Sequence, residues 1–549
     1  MQRLLRPHRG GSLAPCSTKA SAPPEAPSLD REIPAPRAPA FPYSMLVEPP
    51  HLPQLRPASE HSPQPTRCTI LNSGLRVASQ EMFGLASQIG VYVDCGTRHE
   101  NAPGERGCTH LLNHVWFRET ERRTEEELAA AFDAIGAHPE NMFQRDGTSV
   151  SMDVMRDKIP EAVELLADCV QRPRITAENV QHAKEMVGIW YEDMQIAPAE
   201  THVAQVVIEE AVHETAFGAD SPLGHPSNCS LEQLPRLDEA NVRAFFERNF
   251  TPDRIVLAAA GAEHDELVRL ADEHFGGGGI LREVDAAAPV VGGAGADPPA
   301  YVGGEARRSD ANVEGAEFTH MALMFKGPSW HAEEDLVPMC VLQHLLGGGD
   351  AFSAGGPGKG MHSRLYREVL NRHYWVERIV ATGFHYSDIG VFGLLGACRA
   401  DRTGEFLRVL VQHFERAVAD PGNEDELARA RNQLKSNLLM QLEFRAFLCE
   451  DIGRQVLEYG RRQMPQELCE QIDAVTAEDV RRTMEQIVAS EPTLVTYGNM
   501  RTLPENAFDM VRRAFGSGQA SKEGAHGVFG SVDKKQPSRW EQIFKNNAR

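Results

Sequence analysis

The stretch T-P-D-R-I-V-L-A-A-A-G-A-E-H-D-E-L-V-R-L-A-D-E-H-F, residues 251–275, carries an apolar run, a glycine turn and a helix-spaced segment in that order. Residues 491–515, E-P-T-L-V-T-Y-G-N-M-R-T-L-P-E-N-A-F-D-M-V-R-R-A-F, repeat the order with little identity. A run of β-branched and aliphatic residues ending in glycine predicts a buried strand, and apolar residues spaced by three and four predict an amphipathic helix behind it. Meeting this unit twice, about 240 residues apart, predicts one architecture used twice.

Working outward, each closing unit has an opening to match. T-I-L-N-S-G-L-R-V-A-S-Q (69–80) and Q-I-G-V-Y-V-D-C-G (88–96) read as strands, followed by a helix carrying T-H-L-L-N-H-V-W-F (109–117). The second half opens with the strand F-T-H-M-A-L-M-F-K-G (318–327) and the helix L-V-P-M-C-V-L-Q-H-L-L-G-G (336–348). Long helical segments precede both closings, at 176–195 and 424–460. The expected fold is α+β: two homologous α/β domains, 65–285 and 313–516, each a mixed sheet packed by helices. Gly, Ala and Pro dominate 286–304, so 286–312 reads as the linker between them.

The ends differ from this body. Residues 1–24 hold Arg3, Arg6, Arg9 and Lys19 and no acid before Glu25, and Pro-rich sequence follows to residue 64. A basic, serine-bearing, acid-poor start is the composition of a mitochondrial targeting segment, so 1–64 is expected to be a leader and extended linker. Residues 517–549 form a basic tail with one short helical candidate around Trp540 and Phe544.

The chain has 549 residues and a net charge of −22; without residues 1–64 it holds 49 Lys and Arg against 73 Asp and Glu, or −24. Such a surface repels nucleic acid and attracts cationic partners. Ten scattered cysteines with no C-x-x-C pair argue against a zinc ribbon or a disulfide scaffold. No uninterrupted apolar run reaches the length of a membrane-spanning helix.

Two short segments carry chemistry. In C-T-H-L-L-N-H (108–114), His110 and His114 stand four apart, on one face of a helix. The H-x-x-E-H zinc motif places a glutamate before its second histidine as the general base, a role worth about 10²–10⁴ in rate. Asn113 stands there instead, and an amide takes no proton from water at pH 7. Glu192 is the best third ligand, with Glu185 two helical turns before it. An active peptidase would need another carboxylate near the histidines in place of Asn113. His110, His114 and Glu192 are read as vestigial metal positions.

The second segment runs Gly347, Gly348, Gly349, Asp350, Ala351, Phe352, Ser353, Ala354, Gly355, Gly356, Pro357, Gly358, Lys359, Gly360. A phosphate-binding G-x-x-x-x-G-K-[ST] match fails, because Ser353 stands where its first glycine belongs and Gly360 where its hydroxyl residue belongs. A flexible loop over a peptide-binding cavity, hinged on a helix in M-H-S-R-L-Y-R-E-V-L-N-R (361–372), is the expectation.

These residues resemble the alpha subunits of mitochondrial processing peptidases, non-catalytic members of the pitrilysin-type metallopeptidase family. The resemblance is densest at 71–80, at the degenerate 109–114, at 249–268 and above all at 352–376, and spans roughly 65–516. It implies a matrix protein enclosing a cavity with a beta subunit that carries the zinc and cleaves basic presequence peptides. This chain would hold no cofactor and cut nothing by itself. It assigns presequence binding to the loop residues Gly347–Asp350, Phe352, Ser353, Gly355–Gly360. Asp350 departs from the pattern, where another glycine is expected, and could meet a presequence arginine. The core proteins of the respiratory bc1 complex share the fold, so a sole or dual role there, with inner-membrane association, is the alternative.

Overall fold

A computed structural model describes residues 64–196, 201–276, 299–309, 316–352 and 360–515. The leader 1–63, most of the expected linker, the loop centre 353–359 and the tail from 516 onward lie outside the described residues.

The first half runs β1 (Arg67–Ile70), β2 (Arg76–Gln80), β3 (Ala86–Val93), α1 (Cys108–Val115), α2 (Glu125–Ile135), β4 (His138–Phe143), β5 (Thr148–Met155), α3 (Ile159–Gln171), α4 (Ala177–Ile196), α5 (Thr201–Phe217), α6 (Glu239–Asn249), β6 (Ile255–Ala260) and α7 (His264–Phe275). The second runs β7 (Gly304–Arg308), β8 (Phe318–Gly327), α8 (Glu333–Leu346), β9 (Gly348–Asp350), β10 (Val376–His385), β11 (Gly390–Arg399), α9 (Thr403–Ala419), α10 (Glu424–Leu442), α11 (Arg445–Tyr459), α12 (Pro465–Ala474), α13 (Ala477–Val488), β12 (Thr493–Gly498) and α14 (Ala507–Phe515).

Among the described residues these strands form two mixed six-stranded sheets, ordered β1-β2-β6-β3-β5-β4 and β7-β12-β8-β11-β10-β9. Each sheet pairs its closing strand parallel to an opening one, β2 with β6 and β7 with β12. The closing strand then lies antiparallel to the next strand of its half, β3 or β8. The duplication read from 251–275 and 491–515 is therefore present in the topology, with β6–α7 and β12–α14 as the equivalent units.

Both closing strands are buried at every position because both of their faces are covered, with β6 apolar throughout and β12 interrupted by Thr493 and Thr496. In β6, Ile255, Leu257 and Ala259 face the first-half core, whereas Val256, Ala258 and Ala260 face Leu448, Cys449, Ile452 and Val456 of α11. In the second sheet, Leu323 of β8 and Leu494 of β12 enter the second-half core, while Ala322, Met324 and Val495 meet Ala204, Ile208 and Ala211 of α5. Each half thus lends one helix to the back of the other half's sheet. Small residues permit the close approach: a Cβ on Gly453 of α11 would enter the ring of Tyr92.

Three sequence expectations change. The stretch 69–80 is a hairpin of β1 and β2, turning through Gly74 at φ +89°, rather than one strand. The helix expected over 424–460 breaks into α10 and α11 at Phe444, whose backbone is extended. Within the 286–312 stretch expected to be linker, Gly304–Arg308 forms β7; as an edge strand with Glu305, Arg307 and Arg308 exposed, it lacks the apolar alternation that marks a strand.

Candidate functional site

The degenerate metal helix α1 begins after Gly107, whose φ of +98° suits glycine and whose missing side chain leaves room for the Cys229 sulfur. Its first-turn amides are satisfied by the buried Glu100 carboxylate, which accepts from the N–H groups of Gly107 and Thr109, both at 2.7 Å. Burial pushes the Glu100 carboxyl up to about 7. Cys108, Leu111, Leu112 and Val115 fill the first-half core and fix how the helix is rotated.

That rotation brings His110 and His114 to one face, with ring centroids 5.5 Å apart, and sets the edge of Trp190 from α4 against His110 at 5.8 Å. Burial, then the neighbouring His114, lowers the His110 pKa to about 4. Burial, then His182, lowers that of His114. His110 is therefore neutral at pH 7. Its Nδ1 accepts from the backbone N–H of Cys229 at 3.1 Å, which puts the ring proton on Nε2.

As arranged, these residues do not fit a zinc ion. A zinc-ligating Nε2 must present a lone pair, and here the Cys229 bond leaves that atom protonated. Glu192 is exposed on α4, Glu185 accepts from Gln181 at 3.2 Å, and among the described residues no three His, Cys, Asp or Glu side chains converge as a metal-binding group. Asn113 stands on α1 beside His114, and its carbonyl accepts from the Asn141 side chain of edge strand β4 at 3.1 Å.

The glycine-rich segment divides in two. Gly347 ends α8 at φ +60°, and Gly348, Gly349 and Asp350 form β9, opposite Val380, Ile379 and Arg378 of β10. A Cβ on Gly348 would strike the Ile379 carbonyl. The base of the expected mobile loop is therefore a sheet edge, because these glycines close backbone pairing. Asp350 lies 3.4 Å from the Arg378 guanidinium, so its charge is already balanced within the chain. Phe352 is 96% exposed, and Gly360 turns at φ +76°. Ser353, Gly355, Gly356, Pro357, Gly358 and Lys359 lie outside the described residues. The helix expected at 361–372 is helical only over 364–370, widening into a π-type turn at Tyr366–Leu370.

A cavity of about 450 Å³ opens where Tyr92, Met142 and Thr148 of the first sheet face α8, α10, α11 and α12 of the second half. Its apolar wall includes Leu434, Leu438 and Phe447, and five carboxylates reach it: Asp146, Glu333, Glu450, Asp451 and Glu458. Asp146 is paired with Arg98 at 2.8 Å, Glu450 with Arg454 at 2.8 Å, and Asp451 with Arg462 at 2.7 Å. Glu333 accepts from Gln463 at 3.1 Å. Glu458 has a buried Oε2 without a hydrogen-bond partner, and the His331 ring nitrogen lies 3.8 Å from it. Burial, then Asp146 and Asp94, pushes the Glu458 carboxyl up to about 7. Sequence reading did not single out these acids, which come from three separate segments: the β4–β5 connection, α8 and α11.

Two family models match the chain: the insulinase model of peptidase family M16 over residues 76–227, and the model described as the peptidase M16 inactive domain over 236–434. The chain is 35% identical to the mitochondrial-processing peptidase subunit alpha of Solanum tuberosum, over 83% of this chain and 86% of that protein. It is 33% identical to the Homo sapiens subunit alpha over 82% and 85%, and 31% identical to that of Neurospora crassa over 79% and 85%. With its duplicated sheets, its amide in place of the motif carboxylate and this extent of identity, the chain belongs to peptidase family M16, among the alpha subunits of the mitochondrial-processing peptidase.

Proposed function

We propose that this chain is the substrate-recognising, non-catalytic subunit of a mitochondrial processing peptidase. It holds the basic presequence of an imported precursor while a zinc-bearing beta subunit cleaves it in the matrix. The observation that carries this reading is the α1 face: Asn113 where a general base is required, beside a His110 whose Nδ1 accepts from the Cys229 N–H and whose Nε2 therefore carries the ring proton.

The cavity supports the recognition half of the proposal. Presequences are basic and amphipathic, and an apolar wall with the underpaired Glu458 offers both kinds of contact. The net charge of −22 adds long-range attraction for such peptides. The glycine-rich segment, anchored by β9, is assigned to substrate handling, and residues 1–64 to a targeting segment and Pro-rich linker. The family placement favours this role over that of a bc1 core protein.

The test uses the purified chain with a fluorescent presequence peptide, alone and with a beta subunit. Binding without cleavage by the chain alone, and zinc-dependent cleavage once the partner is added, is the expected pair of results. Cleavage by the chain alone would sink the assignment.

A further inference from the structure

A second pocket, of about 420 Å³, lies between the loop entering α1 and the connection from α5 to α6. Asn101, Arg106, Asp220, His225, Gln233 and Arg236 contribute to its polar lining. Nothing in the peptide-binding reading uses it.

Among its lining residues, His225 is 4% exposed, and neither of its ring nitrogens meets a well-aligned hydrogen-bond partner. Burial, then Arg106, lowers its pKa, while the backbone and the carboxylate of Asp220 favour the charged form. A neutral imidazole still offers one N–H and one lone pair. Leaving both unmet in a buried place costs their desolvation with no return.

Two arginines, Arg106 and Arg236, line the pocket with two acids, Glu100 and Asp220, and differ from them in how far they are committed elsewhere. Arg236 is exposed and has no ion-pair partner among the described residues. Arg106 reaches Asp220 only at 3.4 Å, and that carboxylate is wholly exposed. The pocket's buried acid, Glu100, has its oxygens committed to the Gly107 and Thr109 amides. The acidic body repels anions from afar, but beyond about 8 Å physiological salt screens that field, and at contact two guanidiniums dominate.

We propose that this pocket binds a small oxyanion-bearing ligand, with Arg236 and Arg106 clamping the oxyanion and His225 donating its N–H from the buried end. The volume suits a small organic molecule. Phosphoryl and carboxylate groups share the required chemistry.

Calorimetric titration of the purified full chain with inorganic phosphate, and separately with citrate, tests this at an ionic strength fixed with sodium chloride. Saturable binding of at least one probe is expected, weakened about tenfold or more in Arg236→Gln and in His225→Leu, as befits losing a charge-assisted contact. Binding of phosphate but not citrate assigns a phosphoryl ligand, and the reverse assigns a carboxylate. Because Arg236 is exposed, its variant folds irrespective of how the buried histidine tolerates replacement. No saturable heat with either probe, or unchanged binding in Arg236→Gln, overturns the proposal.

Discussion

The backbone N–H of Cys229 donates to Nδ1 of His110 across 3.1 Å, joining residues 119 apart in the chain. That bond decides the protonation of the atom a metal would need. Asn113→Glu should therefore restore the H-x-x-E-H spelling without restoring a peptidase. Hydrolysis by the purified variant should stay at background and bound zinc well below one per chain, measured by peptide cleavage and metal analysis. Stoichiometric zinc with turnover would show that the histidines reorganise around a new carboxylate.

Glu458 makes a prediction with a definite sign. Its carboxyl titrates at about 7 in the folded chain against an ordinary 4.5. The folded state thus binds the extra proton between those values, and the stabilisation present below pH 4.5 is lost as pH rises through 7. Glu458→Gln keeps the shape of the protonated acid and removes the charge. Its melting temperature should match the parent at pH 5 and exceed it at pH 8, by a stability of about 1–3 kcal/mol. An equal gain at both pH values would mean that charge at Glu458 is not the cause.

The exchange of helices between halves predicts coupled unfolding. Gly453 sits where any side chain enters the Tyr92 ring, which is itself 3% exposed. Gly453→Val should cost about 1–3 kcal/mol from overpacking and lower one shared transition, because α11 belongs to the second half and the sheet it covers to the first. Gly188→Ala in α4, where an added Cβ meets nothing, should be neutral or stabilising by up to about 1 kcal/mol. Calorimetry distinguishes the shared transition from two separate ones.

What could be read beforehand follows from what is local. β6 and α7 were legible because a doubly covered strand is apolar at every position and its helix carries its own stripe. The helix exchange was not: the buried stripe on α11 records that Leu448 and Ile452 meet apolar surface, and not which sheet supplies it. β7 hid because an edge strand paired on one side tolerates Glu305, Arg307 and Arg308. At the site, Asn113 announced the missing base from one residue. The tautomer of His110 comes from the Cys229 amide, and the raised pKa of Glu458 from burial and then the Asp146 charge, each far away in sequence.

The base of the glycine-rich segment separates backbone from charge. Gly348 lies at φ +107°, and a Cβ there would meet the Ile379 carbonyl, so Gly348→Ala must break the pairing of β9 with β10 or strain it. Asp350 is 60% exposed at the side chain and pairs with Arg378 at 3.4 Å, an interaction worth about 0–1 kcal/mol. If the segment handles substrate through its anchored backbone, Gly348→Ala should lower presequence processing by the reconstituted enzyme at least about tenfold while the two subunits still copurify. Asp350→Ala should change turnover less than about threefold, since losing so weak a pair leaves β9 in register. Steady-state kinetics on both variants, with the heterodimer checked by gel filtration, gives the comparison. The reverse ranking would move recognition from the shape of the segment to the carboxylate of Asp350, and the Arg378 pair would then have to open for substrate to bind.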